Sequence, residues 1–164
     1  MNRDTIELIE NLTQDIVNIY NLGMPIKDIN NVVEILGGEL IITSDIDSGL
    51  YKTNYGFRIV AKTINKFSIA QELGHLFLHM RYNIDKAYWQ KIPVGYHVIA
   101  VDISIDAIYE VNRFAEALLM PREIYKEKIE QLNTETVDIY KIAKYFEVTP
   151  RQAYERGRRL KLLK

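Results

Sequence analysis

The sequence predicts an α+β fold: a helical core, a small antiparallel sheet of about three strands, and a helical C-terminal extension. Three observations predict it. Apolar residues recur at three- and four-residue spacings near both ends and in the middle of the chain, the pattern of helices with one buried face. Short β-rich runs bounded by Gly, Asn and Asp lie close together between residues 39 and 61. The 164 residues hold 48% apolar and 26% charged side chains, the make-up of a globular domain long enough to bury roughly 70% of its unfolded surface.

The elements follow in order. Ile6, Ile9, Leu12, Ile16, Ile19 and Tyr20 line one face of a helix from Asp4 to Leu22, with Gly23 as its stop. Pro25 to Leu36 forms a second short helix, ended by Gly37-Gly38. Glu39 to Thr43 is a strand, and Asp45-Ile46-Asp47-Ser48-Gly49 is turn chemistry. Leu50 to Thr53 and Phe57 to Ala61 are strands joined through Asn54-Tyr55-Gly56, so the three make a meander. Lys66 to Arg81 is apolar on more than one side, through residues such as Ile69, Leu73, Leu76, Phe77 and Met80, and belongs at the centre. Residues 83–103 are irregular, with a strand at 96–101. Asp106 to Met120 is helical and stops at Pro121, which opens a helix to about Leu132. Thr136 to Phe146 and Pro150 to Leu160 are short helices joined by Glu147-Val148-Thr149 in a helix-turn-helix outline, with Thr149, Pro150 and Gln152 forming a capping box. No repeat, low-complexity segment or Gly/Pro/Ser-rich linker interrupts the chain. The organisation expected is a main domain over residues 1–132 and a helix-turn-helix-like extension over residues 133–164, packed on it.

The formal net charge of −1 conceals an asymmetry. Residues 1–50 carry two basic and nine acidic side chains, while residues 141–164 carry eight basic and two acidic. Arg151, Arg156, Arg158, Arg159 and Lys161 on the last helix suit phosphates, acidic protein surfaces or plain solvation. Direct reading of DNA bases is the weaker use, because only Arg151 and Gln152 stand at the N-terminal end of that helix. Zero Cys excludes disulfides, thiolate metal sites and Cys nucleophiles, and limits any metal to His, carboxylate and amide donors. There is no 18-residue apolar run, and Met1-Asn2-Arg3-Asp4 leads into an amphipathic stretch. Neither a membrane span nor a signal peptide is expected, and the expected location is cytoplasmic.

The central helix contains Gln71-Glu72-Leu73-Gly74-His75. In a zinc-hydrolase helix the pattern is His-Glu-x-x-His: two imidazoles four apart share one face and one ion, and the Glu serves as general base. Here Glu72 and His75 hold their places and Gln71 stands where the first His belongs. Alone, such a pattern is common by chance. Its surroundings are specific. Phe67-Ser68-Ile69-Ala70-Gln71-Glu72-Leu73-Gly74-His75-Leu76-Phe77-Leu78-His79 resembles the Phe-Thr-(Leu/Ile)-Ala-His-Glu-Leu-Gly-His-Leu-(Leu/Phe)-Leu-His segment of the ImmA/IrrE metallopeptidases. Glu110-Val111-Asn112-Arg113-Phe114-Ala115-Glu116-Ala117-Leu118-Leu119-Met120-Pro121 resembles that family's Glu-Ala-Asn-x-Phe-Ala-Ala-x-Leu-Leu-Met-Pro, in the same order along the chain.

The resemblance implies a zincin-like helical core, with Glu72 as general base and His75 and Glu110 as zinc ligands. Gln71 is a weak third donor, because a neutral amide oxygen is a poor zinc ligand beside an imidazole. Family members cleave, or license cleavage of, helix-turn-helix repressors of mobile elements and stress regulons, so the partner implied is such a repressor. Three readings stand: a zinc metallo-endopeptidase with impaired metal binding, an inactive pseudopeptidase that binds a regulator, and a nucleic-acid-binding regulator. His75 and His79 are also four apart, but a site shifted onto them would place Leu76 where the base belongs. The plainer role of His79 is a local hydrogen bond at the helix end. Phe114, Leu118 and Leu119 read as core, His97 as ordinary surface or loop, and Tyr51, Tyr55, Tyr82, Tyr88 and Tyr96 as packing residues.

Overall fold

The computed structural model of the chain describes residues 3–98, 104–132 and 137–163. Helices α1 (Arg3–Ile19) and α2 (Ile29–Ile35) lead into strands β1 (Gly38–Ile42), β2 (Gly49–Lys52) and β3 (Phe57–Ala61). Helix α3 (Lys66–Gly74) runs on into a π-helical turn, His75–His79, followed by α4 (Lys86–Lys91) and β4 (His97–Val98). Helices α5 (Ile105–Leu119), α6 (Arg122–Leu132), α7 (Ile139–Phe146) and α8 (Pro150–Arg159) complete the chain. The class is the expected α+β. Residues 99–101 of the expected fourth strand, Thr136 of the expected helix and the expected boundary after residue 132 lie outside the described residues.

The sheet differs in detail from a meander. Its order is β1-β3-β2-β4, with β1 parallel to β3 and both β2 pairings antiparallel. Strand β3 therefore sits inside, between β1 and β2. The reason is visible at Gly38, which faces Phe57: a Cβ there would lie 2.3 Å from the Phe57 ring. Only a residue without a side chain lets β1 lie against β3 in this register.

Helix α2 begins at Ile29, later than Pro25 suggested, because the Asp28 carboxylate accepts from the amides of Asn30 and Asn31 and caps the helix there. The long connection before α5 is fastened by Lys52. This side chain is 8% exposed, and its ammonium donates to the carbonyls of Trp89 and Ile92, both at 2.6 Å, while lying 4.8 Å from the Trp89 ring. Backbone bonds between Lys52 and residues 95–96 hold β4 beside β2.

One apolar core runs through the molecule, from Ile9 and Ile16 of α1 to Leu73 of α3, Phe114 and Leu118 of α5, and Phe146 of α7. Within it, α3 and α5 meet at Gly74, where a Cβ would stand 3.1 Å from the Cα and Cβ of Val111. Helix α8 is joined to this core by polar contacts. Arg156 is 1% exposed; its guanidinium pairs with both carboxylate oxygens of Glu10 and donates through Nε to the Met120 carbonyl at 2.9 Å. Arg159 pairs with the buried Glu116, and the Tyr125 hydroxyl donates to the Ala153 carbonyl at 2.6 Å. Among the described residues, no helix is long and apolar enough to cross a membrane.

Two outcomes are expected from this packing. Arg156→Met strands the Glu10 carboxylate and lowers stability by about 3–5 kcal/mol in urea unfolding, whereas Arg158→Met on the exposed face of α8 changes it by less than about 0.5 kcal/mol. Gly74→Val forces α3 from α5 and costs about 1–3 kcal/mol in the same assay.

Candidate active site

Helix α3 starts at a cap in which the Asn65 side chain accepts from the Ser68 amide at 2.9 Å. From there Ile69, Ala70, Leu73 and Gly74 turn into the core, and Gln71 and Glu72 are left half-buried. Helix α5 starts at Ser104, whose hydroxyl accepts from the Ala107 amide, and carries Glu110 and Asn112 past the same region. The close approach at Gly74 and Val111 is what brings the two sets of polar groups together.

The hydrogen bonds then divide the candidate residues. Gln71 donates through Nε2 to Asn112 Oδ1 at 2.6 Å. At His75 the helix widens: the Met80 amide donates to the His75 carbonyl, five residues back, at 3.0 Å. This π turn tilts the His75 and His79 rings toward each other, with centroids 4.9 Å apart and the two Nδ1 atoms in hydrogen-bond contact at 2.8 Å. On its far side His79 donates through Nε2 to Glu110 Oε2 at 3.1 Å. His75 and Glu110 thus face opposite sides of one imidazole. Glu72 lines a different recess, of about 300 Å³, with Ser48, Ala61 and Ser68.

Burial sets the ionisation of two of these groups. The Glu72 carboxyl is pushed up to about 7 by loss of solvent alone. The His75 imidazole is pushed down to about 4, first by burial and then by the neighbouring His79, so it is neutral at pH 7. His75 and His79 line a cleft of about 640 Å³ whose walls include Tyr88, Ile92, Tyr96, His97 and Ala107.

A catalytic zinc takes three protein donors around an open position. Here Gln71, turned by the bond from its Nε2 to Asn112, offers only a neutral amide oxygen, a poor zinc donor, and the His79 ring is hydrogen-bonded to both His75 and Glu110. Among the described residues, no group of three His, Asp or Glu side chains is arranged to hold a metal ion. In this arrangement the donors do not fit a catalytic zinc.

Other expected roles are redistributed. His97 is more than loop surface: it lies on β4, stacks on Tyr51 at 3.9 Å and lines the cleft. Tyr82 packs against Phe57, Phe77 and Trp89, Tyr88 and Tyr96 face the cleft, and Tyr55 is 98% exposed. Of the basic residues on and just after α8, Arg156 is buried against Glu10, Arg159 is exposed but paired with the buried Glu116, and Arg151, Arg158 and Lys161 stand on the surface. The His79 bridge and the Gln71–Asn112 bond were not expected as such. Their signals in the sequence are the four-residue spacing of His75 and His79 and the Gln in place of an imidazole.

A family model described as the IrrE N-terminal-like domain, peptidase M78, matches residues 60–157. A search among curated proteins finds no match. Among solved structures, a Mycobacterium tuberculosis transcriptional regulator is similar, with a TM-score of 0.51 and 16% identity over 95% of this chain and 47% of that one. The chain thus spans about half the length of that structure, and the likeness is one of fold. Since the family model covers more than half of the chain, and within it the helices that carry Gln71, Glu72 and Glu110 and the π turn that carries His75, this chain belongs to the peptidase M78 family.

Proposed function

We propose that this chain is an M78-fold domain that holds a regulatory protein, a helix-turn-helix repressor, with peptide-bond hydrolysis lost or impaired at its degenerate motif. One observation carries the reading: where a zinc ligand set belongs, the side chains satisfy one another, Gln71 on Asn112 and His75 through His79 to Glu110. The family supports a regulator as partner, and the similar mycobacterial structure is titled a transcriptional regulator. The cleft beside His75, walled by Tyr88, Ile92 and Tyr96, suits an apolar segment of such a protein. The internal pairing of Arg156, which takes one of the basic residues of α8 off the surface, supports protein docking over direct DNA contact. The reading places the chain in the cytoplasm, where the repressor acts.

A second reading, hydrolysis by a zinc endopeptidase, is favoured by Glu72. A carboxyl with its pKa near 7 is matched to general-base work at neutral pH. Zinc, when bound, would supply an acidified water and a Lewis acid.

The test is the purified protein with a helix-turn-helix repressor from the same genome. We expect zinc well below one per chain after equilibration with micromolar zinc, a stable complex with uncleaved repressor, and the same complex with Glu72→Gln. One zinc per chain together with repressor cleavage that Glu72→Gln abolishes establishes the second reading instead.

Glu72 also generates a pH prediction. Its folded pKa lies above its unfolded value of 4.5, so the folded state binds the proton more tightly and loses relative stability as pH rises from about 4.5 to 7. Glu72→Gln, which cannot ionise, gains on the parent protein across that window by about 3 kcal/mol and matches it near pH 4. Urea unfolding of both proteins at pH 4, 6 and 8 measures the difference.

A further inference from the structure

We infer that the cleft beside His75 selects for acidity: the protein segment it holds is apolar and sets an Asp or Glu side chain against Lys91. This rests on the reading of a protein-holding domain proposed above and names the chemistry of what its cleft takes. The make-up of the walls carries it. The polar side chains that line the 640 Å³ cleft are those of lysine, histidine, tyrosine and serine, without one carboxylate among the described residues. Lys91, in the last turn of α4, is exposed and has no carboxylate partner among the described residues. A second ammonium lies against the same wall. Lys52 donates to the carbonyls of Trp89 and Ile92, both at 2.6 Å, and among the described residues it too has no carboxylate partner.

The acids of the neighbouring elements do not answer these two cations. Asp85 caps α4 by accepting from the Tyr88 amide at 2.9 Å and pairs with Arg81 at 3.6 Å. Glu110 is bonded to His79 Nε2 at 3.1 Å, and Asp106 in the first turn of α5 is exposed; neither lines the cleft. The rest of the wall is apolar, with Met80, Ile92, Pro93 and Val98. It continues onto the surface, where Val94, Ile105 and Ile108, each next in the chain to a lining residue, are exposed. Apolar area of this kind supplies affinity for a partner segment, and an unanswered charge within it decides which segment stays. A basic segment would meet Lys91 with like charge, whereas an acidic side chain meets it with the opposite one. A nucleic-acid backbone fits less well, because it needs a row of cations and the exposed lining offers one permanent charge, Lys91.

The experiment selects short random peptides, displayed on phage, against the purified protein. The selected sequences are then made synthetically and titrated by the fluorescence of Trp89, the single Trp of the chain, which stands on α4. We expect the selected peptides to join apolar residues to Asp or Glu and to weaken as salt is raised. Lys91→Glu turns an attraction into a repulsion and should lower their affinity about tenfold. A peptide whose acid is exchanged for Lys should bind Lys91→Glu better than it binds the parent protein, an exchange that a misfolded variant cannot mimic. Arg158→Glu, the same change of charge on α8, should leave peptide affinity as it is. Peptides selected without acidic residues, or no selection at all, overturn the inference. So do equal affinities for the parent and Lys91→Glu, an equal loss in Arg158→Glu, or displacement of the peptides by a single-stranded oligonucleotide, which would make the cleft a nucleic-acid site. The two readings fail separately. A repressor complex indifferent to Lys91→Glu overturns this inference and leaves the function proposed above standing; acidic peptides selected by a protein that holds no repressor do the reverse.

Discussion

Gly74 has no side chain to hold α3 away from α5, and Val111 closes directly onto the bare backbone. The rest of the site follows from that contact. It fixes the depth at which α3 is buried, so that Leu73 and Leu76 lie in the core while Gln71, Glu72 and His75 are left at its margin. It also fixes the separation across which polar groups of the two helices can reach. Asn112 meets Gln71 and Glu110 meets His79 because the helices approach as closely as backbone permits.

Two buried cations perform a matching task at the edges of the core. Lys52 gathers the backbone carbonyls of a segment with little regular structure and holds it to the sheet. Arg156 does the same for the end of α5 while meeting the Glu10 carboxylate of α1. Each long side chain spans a distance that apolar packing alone would not bridge, and each donates to backbone or carboxylate oxygens shielded from solvent.

What the sequence made legible is what local chemistry decides. Strand β3 runs from Phe57 to Ala61 as its composition suggests, and the Thr149–Gln152 capping box is present in both directions. The motifs around Glu72 and Glu110 located the two helices of the site and their family. What stayed hidden depends on partners distant in sequence. The parallel pairing of β1 with β3 turns on a ring packed over Gly38, and the burial of Arg156 on a carboxylate near the other end of the chain. The π turn was hidden for a different reason: apolar periodicity marks a helix without registering that its pitch changes at His75. The role of His79 follows from that change of pitch.

The pairing of Arg156 with Glu10 joins residues 146 positions apart. Closing a loop of that size costs configurational entropy that only late contacts can offset. Helix α1 therefore waits, during synthesis, for almost the whole chain to emerge before its buried carboxylate finds a counter-charge. The apolar face of α1 has its partner in α5 well before that point, so the helix can dock by its apolar side with Glu10 still waiting for its counter-charge.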